Sequence, residues 1–269
     1  MNVVCVGDCG IDRYLPTGDD LIGGITANFA RHSRTQFPPS DRITVISVLG
    51  DDDEAARVFS SFEGLDLDCR FTRLPGTTPV QYIIVEPDGE KNFVRYDEGV
   101  LGDFRFDEAD RQIISGSDLL VAPVYLQIVG LFDDLMAIET GGLVSIDFAD
   151  FIQHPDFDLL ERYIDAIDIA FFGLSIDDQE TIERVAAIAR QYEKLFVVTL
   201  GAAGSRAFHG DEGIDCAAVP VARVTDTTGA GDAYAAAFLS RYCHGVSVAD
   251  SMAAGAELAS TIVQRPGAV

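Results

Sequence analysis

The sequence predicts a three-layer α/β/α sandwich on a mostly parallel central sheet, with a small β-sheet lid standing off it. Three observations carry this expectation: short, continuously apolar runs recur along the 269 residues, helical patterns separate them, and two polar, glycine-bearing stretches break the alternation. Apolar character on successive residues marks strands buried on both faces, and strands alternating with helices run parallel in one covered sheet.

Taken in order, NVVCVGD at 2–8 is the first strand, and the glycine- and aspartate-rich residues 10–24 are the first lid segment. A helix is expected over 25–37, stopped by Pro38-Pro39, whose rings cannot continue it. RITVISVLG at 42–50 is the next strand and 52–63 the next helix. Residues 77–98, TTPVQYIIVEPDGEKNFVRYDE, read as a hairpin turning at Pro87-Asp88-Gly89, the second lid segment. The pattern then gives a helix over 107–115, the strand DLLVAPV at 118–124, a helix over 127–139 and the strands GLVSIDF at 142–148 and IDIAFFG at 167–173. A helix over 178–193 leads to the strand KLFVVTLG at 194–201, and residues 201–219 form a further hairpin with Asp211-Glu212-Gly213 at its turn. Helices over 229–244 and 248–263 close the pattern, and no repeat, low-complexity tract or linker divides residues 1–269, so one domain is expected.

Composition narrows the function classes. The 44 acidic residues against 19 basic ones give a net charge of −25, a surface that repels nucleic acid and anionic lipid, so neither is an expected partner. Only Lys91 and Lys194 are lysine, and aspartate outweighs glutamate, a bias expected of proteins that stay soluble in concentrated salt; a halophilic cytoplasm is the expectation. No run reaches the roughly 18 apolar residues of a membrane span, and the opening MNVVCVGDCG has no basic stretch ahead of an apolar core, so a soluble, cytoplasmic protein is expected. The five cysteines include no C-x-x-C pair and the four histidines no H-E-x-x-H spacing, which points to neither a disulfide framework nor a zinc site. GDCGID is not the G-x-G-x-x-G of a dinucleotide fold, and the absence of G-K-[ST] excludes a Walker-type ATPase.

The stretch VTDTTGAGDAYAAAFLSRY at 224–242 sets Gly229, Ala230 and Gly231 at the entrance of an alanine-rich helix, with Asp232 in the first turn. Uncovered amides and the positive end of the helix dipole suit an anion there. Asp232 either complements the dipole or accepts a proton from a hydroxyl attacking phosphorus, and the stretch alone fits both.

Asp226-Thr227-Thr228-Gly229-Ala230-Gly231-Asp232 resembles the D-T-x-G-A-G-D signature of the ribokinase-like (PfkB) carbohydrate kinases. Gly23-Gly24 with Asn28 is similar to their G-G-x-x-x-N substrate motif, VGDCGIDRY places Asp12 where they hold a sugar-binding acid, and VTLGAAGS at 198–205 looks like their nucleotide loop. The resemblance covers nearly the whole chain. It implies the ribokinase-like fold and in-line transfer from ATP with magnesium to a sugar hydroxyl. Asp232 would then be the base, Gly229, Ala230 and Gly231 the amide anion hole, Asp12, Gly23, Gly24 and Asn28 the acceptor contacts, and Thr199, Gly201 and Gly204 the nucleotide contacts. Asp226 and Thr228 match positions that hold a monovalent cation in some members, which implies potassium, although an Asp-Thr turn also reads simply as a turn. Arg95 and Tyr96 on the lid strand either touch the acceptor or belong to a solvated strand face, and Asp97 and Glu98 share that ambiguity.

GDCGIDRY, LGDDDEAA, RYDEGVLGDF and SIDFAD resemble the fructoselysine 6-kinase branch in particular; 2-keto-3-deoxy-sugar acid kinase, fructokinase and nucleoside kinase are the alternatives within the family. A protein binding sugar or nucleotide without turnover is the alternative from another class, and the intact Asp232 motif speaks against it. Lid strands of the family dimerise, which implies a homodimer. Two departures stand out. The N-x-x-E motif for metal and phosphates is replaced by FFGLSIDDQE, where Asp178 with Ser175, or Asp177, either approaches magnesium through water or caps a helix, and VAPVYL lacks the glutamate that ribokinases carry, which argues against ribose.

Overall fold

The computed structural model describes residues 1–149 and 151–269; Asp150, the last residue of SIDFAD, lies outside them. The central sheet has the order β13-β12-β11-β10-β9-β8-β1-β4-β5. Its strands are β1 (Asn2–Val6), β4 (Arg42–Leu49), β5 (Asp68–Arg73), β8 (Leu119–Val124), β9 (Leu143–Phe148), β10 (Ile169–Gly173) and β11 (Leu195–Thr199), all parallel, extended by the antiparallel β12 (Ser205–His209) and β13 (Glu212–Cys216). A second sheet, β3-β2-β6-β7, is made of β2 (Gly10–Tyr14), β3 (Asp19–Gly23), β6 (Val80–Val85) and β7 (Lys91–Asp97). These are the two expected lid segments, joined where β2 pairs with β6.

Successive residues of each parallel strand point to opposite layers, and both layers are apolar. In β1, Val3 and Cys5 pack into the layer of α1 (Ile25–Gln36), α2 (Asp53–Ser61), α7 (Ala230–Tyr242) and α8 (Val248–Ile262). Val4 and Val6 pack into the layer of α3 (Glu108–Ser115), α4 (Val129–Met136), α5 (Phe157–Arg162) and α6 (Gln179–Gln191). The second layer is anchored by Phe148 stacked on Phe172, with Phe151 edge-on to both. Burying an aromatic of this size contributes about 1.5–3 kcal/mol, which is why continuous apolar runs persist where a half-exposed sheet would alternate.

Aspartate caps start several helices: the side chain of Asp52 accepts the Ala55 amide, Asp107 and Asp110 form a capping box on α3, and Asp178 accepts the Thr181 amide of α6. The acidity of the chain is thus partly spent on helix entrances, where the dipole favours it.

Three details differ from the sequence expectation. β5 and α5 were not anticipated; β5 is DCRFTR, with no fully buried residue, and α5 is a short helix begun by Asp156, whose side chain accepts the Leu159 amide. The β12–β13 turn lies at Gly210-Asp211, with Glu212 and Gly213 already in the strand, because Gly210 takes the left-handed φ of 59° that the turn requires. Among the described residues no helix is long and apolar enough to cross a membrane.

Candidate active site

Chain order runs outward from β1 in two directions, to β4 and β5 on one side and to β8, β9 and β10 on the other. The crevice beyond the carboxyl ends of β1 and β8 is therefore the switch point at which α/β sheets receive ligands. The small sheet meets this side of the central one where Lys91 of β7 bonds Thr227 ahead of α7. Asp8 and Tyr125 follow β1 and β8 at the crevice, Asp147 lies near the end of β9, and the first turn of α7 enters from the helical layer.

Asp8, only 5% exposed, accepts the amides of Ile25 and Thr26 and so caps α1 from outside its own sequence. The α1 entrance has no cap of its own, since Gly24 stands there with a φ of 98° and a side chain would strike the Asp8 carbonyl at 2.7 Å. This explains the Gly23-Gly24 pair: a Cβ on Gly23 would lie 2.1 Å from Asp12 Oδ1. Asp12 on β2 is 4% exposed, and burial, with Asp8 and Asp226 adding like charge, pushes its carboxyl up to about 7.

The α7 entrance has the bareness the sequence suggested. Gly229 is left-handed, with a φ of 75°, and any Cβ there would meet Ala268 Cβ at 2.3 Å. Ala230 turns its amide to the Thr227 carbonyl at 3.3 Å, while Gly231 is exposed and nothing lies within 4 Å of its Cβ position. Asp232 is 8% exposed and accepts a 2.8 Å hydrogen bond from Asn28 Nδ2. Burial first, then the charge of Asp147, hold the Asp232 carboxyl well above the ordinary range, against the opposing Asn28 bond. The two motifs singled out at opposite ends of the sequence, G-G-x-x-x-N and G-A-G-D, thus meet through one hydrogen bond. Asn28 Oδ1 is buried without a partner.

Asp226, 2% exposed, accepts from the Tyr14 hydroxyl at 2.7 Å and from the Thr228 and Gly267 amides at 2.9 Å each. Burial would raise its carboxyl, but these hydrogen bonds outweigh it and leave the group below its ordinary value. It therefore clamps the loop ahead of α7. The Thr228 hydroxyl lies beside this carboxylate and lowers it further, so a monovalent cation would find one oxygen from each of these two residues.

The remaining expected positions divide. Tyr96 faces inward, its hydroxyl 3.0 Å from that of Tyr125, which itself lies against Asp8. Arg95 points the other way: it is exposed, pairs with Asp97 and sits 4.2 Å over the Tyr82 ring, so the strand alternation that brings Tyr96 in takes Arg95 out. Glu98 is exposed. Thr199 ends β11, and Gly201 and Gly204 lie in the short turn behind it, with the Leu200 amide bonded to the Gly204 carbonyl, on the far side of β10 from the acceptor residues. Asp178 is engaged in capping α6, Ser175 accepts the Asp177 amide, and among the described residues no three His, Cys, Asp or Glu side chains gather as a metal site, so these residues do not fit a dedicated magnesium cage.

Four residues at the site were not singled out as site residues in the sequence. Asp8, Tyr125 and Asp147 come from the ends of three separate strands, where only the parallel sheet unites them. The fourth is Lys91, at the start of β7. Its backbone amide and ammonium donate to the Thr227 hydroxyl and carbonyl at 3.2 and 3.3 Å, while the Thr227 amide donates to the Gly89 carbonyl. The lid hairpin is thereby fastened to the loop that opens α7, and Lys91 is the positive charge felt by Asp12, Asp147 and Asp232 alike.

Comparison with known proteins places the chain in a family and a fold. The pattern of the pfkB family carbohydrate kinases matches residues 2–269. The fructoselysine 6-kinase of Shigella flexneri is 28% identical over 264 residues, covering 98% of this chain and 97% of its own. The fructosamine kinase FrlD of Bacillus subtilis is 27% identical over 265 residues, with 97% and 90% covered. The adenosine kinase structure from Sinorhizobium meliloti superposes with a TM-score of 0.85 at 19% identity, over 99% of this chain and 95% of that one, which establishes the ribokinase-like fold. With two of its motifs joined through Asn28 and Asp232 and the family pattern running over residues 2–269, the chain belongs to the pfkB family of carbohydrate kinases.

Proposed function

We propose that the protein transfers the γ-phosphoryl group of ATP to a hydroxyl of a fructosamine-type sugar derivative, with Asp232 as the general base. The observation that carries this reading is the buried Asp232 carboxylate at the bare α7 entrance, oriented by Asn28. Asn28 occupies Oδ2, which leaves Oδ1 for the acceptor hydroxyl. The exposed Gly231 amide and the α7 dipole, with Gly229 and Ala230 shaping the turn, then neutralise charge developing on the phosphoryl oxygens. Asp12, Gly24 and Tyr96 border the acceptor, and Thr199, Gly201 and Gly204 border the nucleotide. Lys91 brings the lid's one ammonium to the phosphates when the crevice is shut against water. Kinases of this kind take ATP with magnesium, which supplies charge neutralisation at the phosphates; here Asp178 would reach it only through water. Asp226 and Thr228 would hold potassium beside the anion hole.

The acceptor class follows from charge. Asp8, Asp12 and Asp147 lie at or near the acceptor side, and Asp8 adds to the proton affinity that burial gives the other two. Such a wall suits a sugar bearing a protonated amine better than a neutral or acidic one. The fructoselysine 6-kinase and FrlD relatives support the same choice. Activity is expected in the cytoplasm, and dimerisation through the lid fits the exposed Phe93 and Val94 of its edge strand β7, 49% and 52% accessible.

A coupled ADP-release assay across fructoselysine, fructose, 2-keto-3-deoxygluconate and nucleosides tests the reading. The highest kcat/KM is expected with fructoselysine. A nucleoside or sugar-acid preference would contradict the acceptor assignment, and ATP binding without turnover on any acceptor would make the protein a binder.

A further inference from the structure

Behind the first turn of α7 the site continues into a cavity of about 10 Å³, room for about one water molecule. Val121 and Phe171 form part of its apolar wall, and Thr26, Ser145, Asp147 and Asp232 form its polar one. Thr26 and Ser145 are 2% and 1% exposed, and the hydroxyl of each is buried without a hydrogen-bond partner. Unpaired buried hydroxyls are costly and rare, and each of these borders the same small space as two carboxylates. Two hydroxyls and two carboxylates offer one water the two to four partners that a buried water requires. The proposed transfer gives Ser145 no role and Asp147 only a place in the acidic wall beside the acceptor, with no part in moving the proton.

We propose that this cavity holds one ordered water linking Asp232 to Asp147, and that Asp147 is a positioning residue that receives, through this water, the proton Asp232 takes from the acceptor. This rests on the reading of Asp232 as the base. The acceptor oxygen forms its bond to the γ-phosphorus as its proton moves to Asp232. The bond from that phosphorus to the β,γ-bridging oxygen breaks, and ADP leaves with the electron pair. The water takes the proton from Asp232 and gives one of its own to Asp147, so it is regenerated and the charge of the pair is unchanged by the relay. The groups facing Asp147 are Asp232 on α7, Asp8 beyond β1, Lys91 from the lid and, at the cavity wall, the Cys5 thiol of β1. Burial, reinforced by Asp8, sets the Asp147 carboxyl at about 7, where it both accepts and releases protons at neutral pH.

The test compares Asp147→Asn and Ser145→Ala with the parent enzyme and with Asp232→Asn. Removing the Asp147 charge lowers the proton affinity of Asp232, so the acid limb of kcat/KM for the acceptor moves to lower pH by about one unit in Asp147→Asn. Its single-turnover rate falls about tenfold, with the KM for ATP unchanged. Ser145→Ala keeps the parent's acid limb and slows single turnover about threefold. Single-turnover rates in mixtures of light and heavy water curve with deuterium content in the parent, as two moving protons require, and become linear in both variants. An unmoved acid limb in Asp147→Asn together with a linear parent plot would overturn the relay. Should Asp147→Asn fail to fold, retained curvature in Ser145→Ala overturns it alone. Full turnover by Asp232→Asn would instead remove the base on which the relay depends, so the two failures are distinguishable.

Discussion

Asp12 shows how the site's residues trade stability for chemistry. Its carboxyl is raised to about 7 by burial, with Asp8 and Asp226 adding to it, so the folded protein binds this proton more tightly than the unfolded chain does. The stabilisation is fully present below the unfolded value of about 4 and is lost as pH rises through about 7. Asp12→Asn removes that titration, so urea unfolding should show the variant gaining on the parent between about pH 5 and about pH 8; an equal difference at both would contradict the burial assigned to Asp12. At this scale the sequence was partly legible. Asp232 and Gly229 could be named because a helix entrance constrains its neighbours in sequence, whereas Gly24 and Asn28 were named by their resemblance to the family's G-G-x-x-x-N motif. Asp8, Tyr125 and Asp147 could not, because each is an ordinary polar residue at a strand end and acquires its role only from strands paired across the sheet. Arg95 and Tyr96 show the converse: adjacency named both, and strand alternation admits only Tyr96.

Among the elements, the lid is the one whose position the pattern could not give. Its hairpin was evident from Pro87-Asp88-Gly89 between two apolar runs, but the fastening of Lys91 and Gly89 to Thr227 joins residues about 136 positions apart. That contact makes Lys91, which lies in no phosphate motif, a positive charge that acts on Asp232. Lys91→Met is expected to lower kcat/KM for ATP by about a hundredfold, the scale for losing one preorganised donor, while leaving the acceptor KM close to the parent's. Steady-state kinetics with each substrate varied would show it, and an effect confined to the acceptor would move Lys91 to the other side of the crevice. The buried parallel strands and long helices were legible because their periodicity is continuous. β5 and α5 were not: the first is a half-buried edge strand with three charged residues, and the second is six residues long, too short for a helical period to register.

For the whole molecule, the net charge of −25 acts against compaction, and ion pairs such as Arg13 with Asp20 and Glu54, or Arg57 with Asp20, relieve it only locally. Screening shortens from about 10 Å at 0.1 M salt to about 3 Å at 1 M, so Tm and activity should both rise over that range. A fall in both would contradict a halophilic origin for the acidity. Under the proposed lid dimer, the exposed Phe93 and Val94 of the edge strand are residues that a second copy would cover. Light scattering at high salt should give a dimer for the parent and a monomer for Val94→Asp, whereas a monomeric parent would remove the lid interface from the account.

The central claim is that the α7 entrance is the phosphoryl-transfer centre and Asp232 its base. Single-turnover transfer by Asp232→Asn, with ATP affinity measured on the same preparation, tests it most directly. The account predicts a loss of about two to four powers of ten in rate with ATP affinity little changed. A variant that transfers phosphoryl groups at close to the parent's rate would reduce Asp232 to a helix-dipole partner and contradict the account.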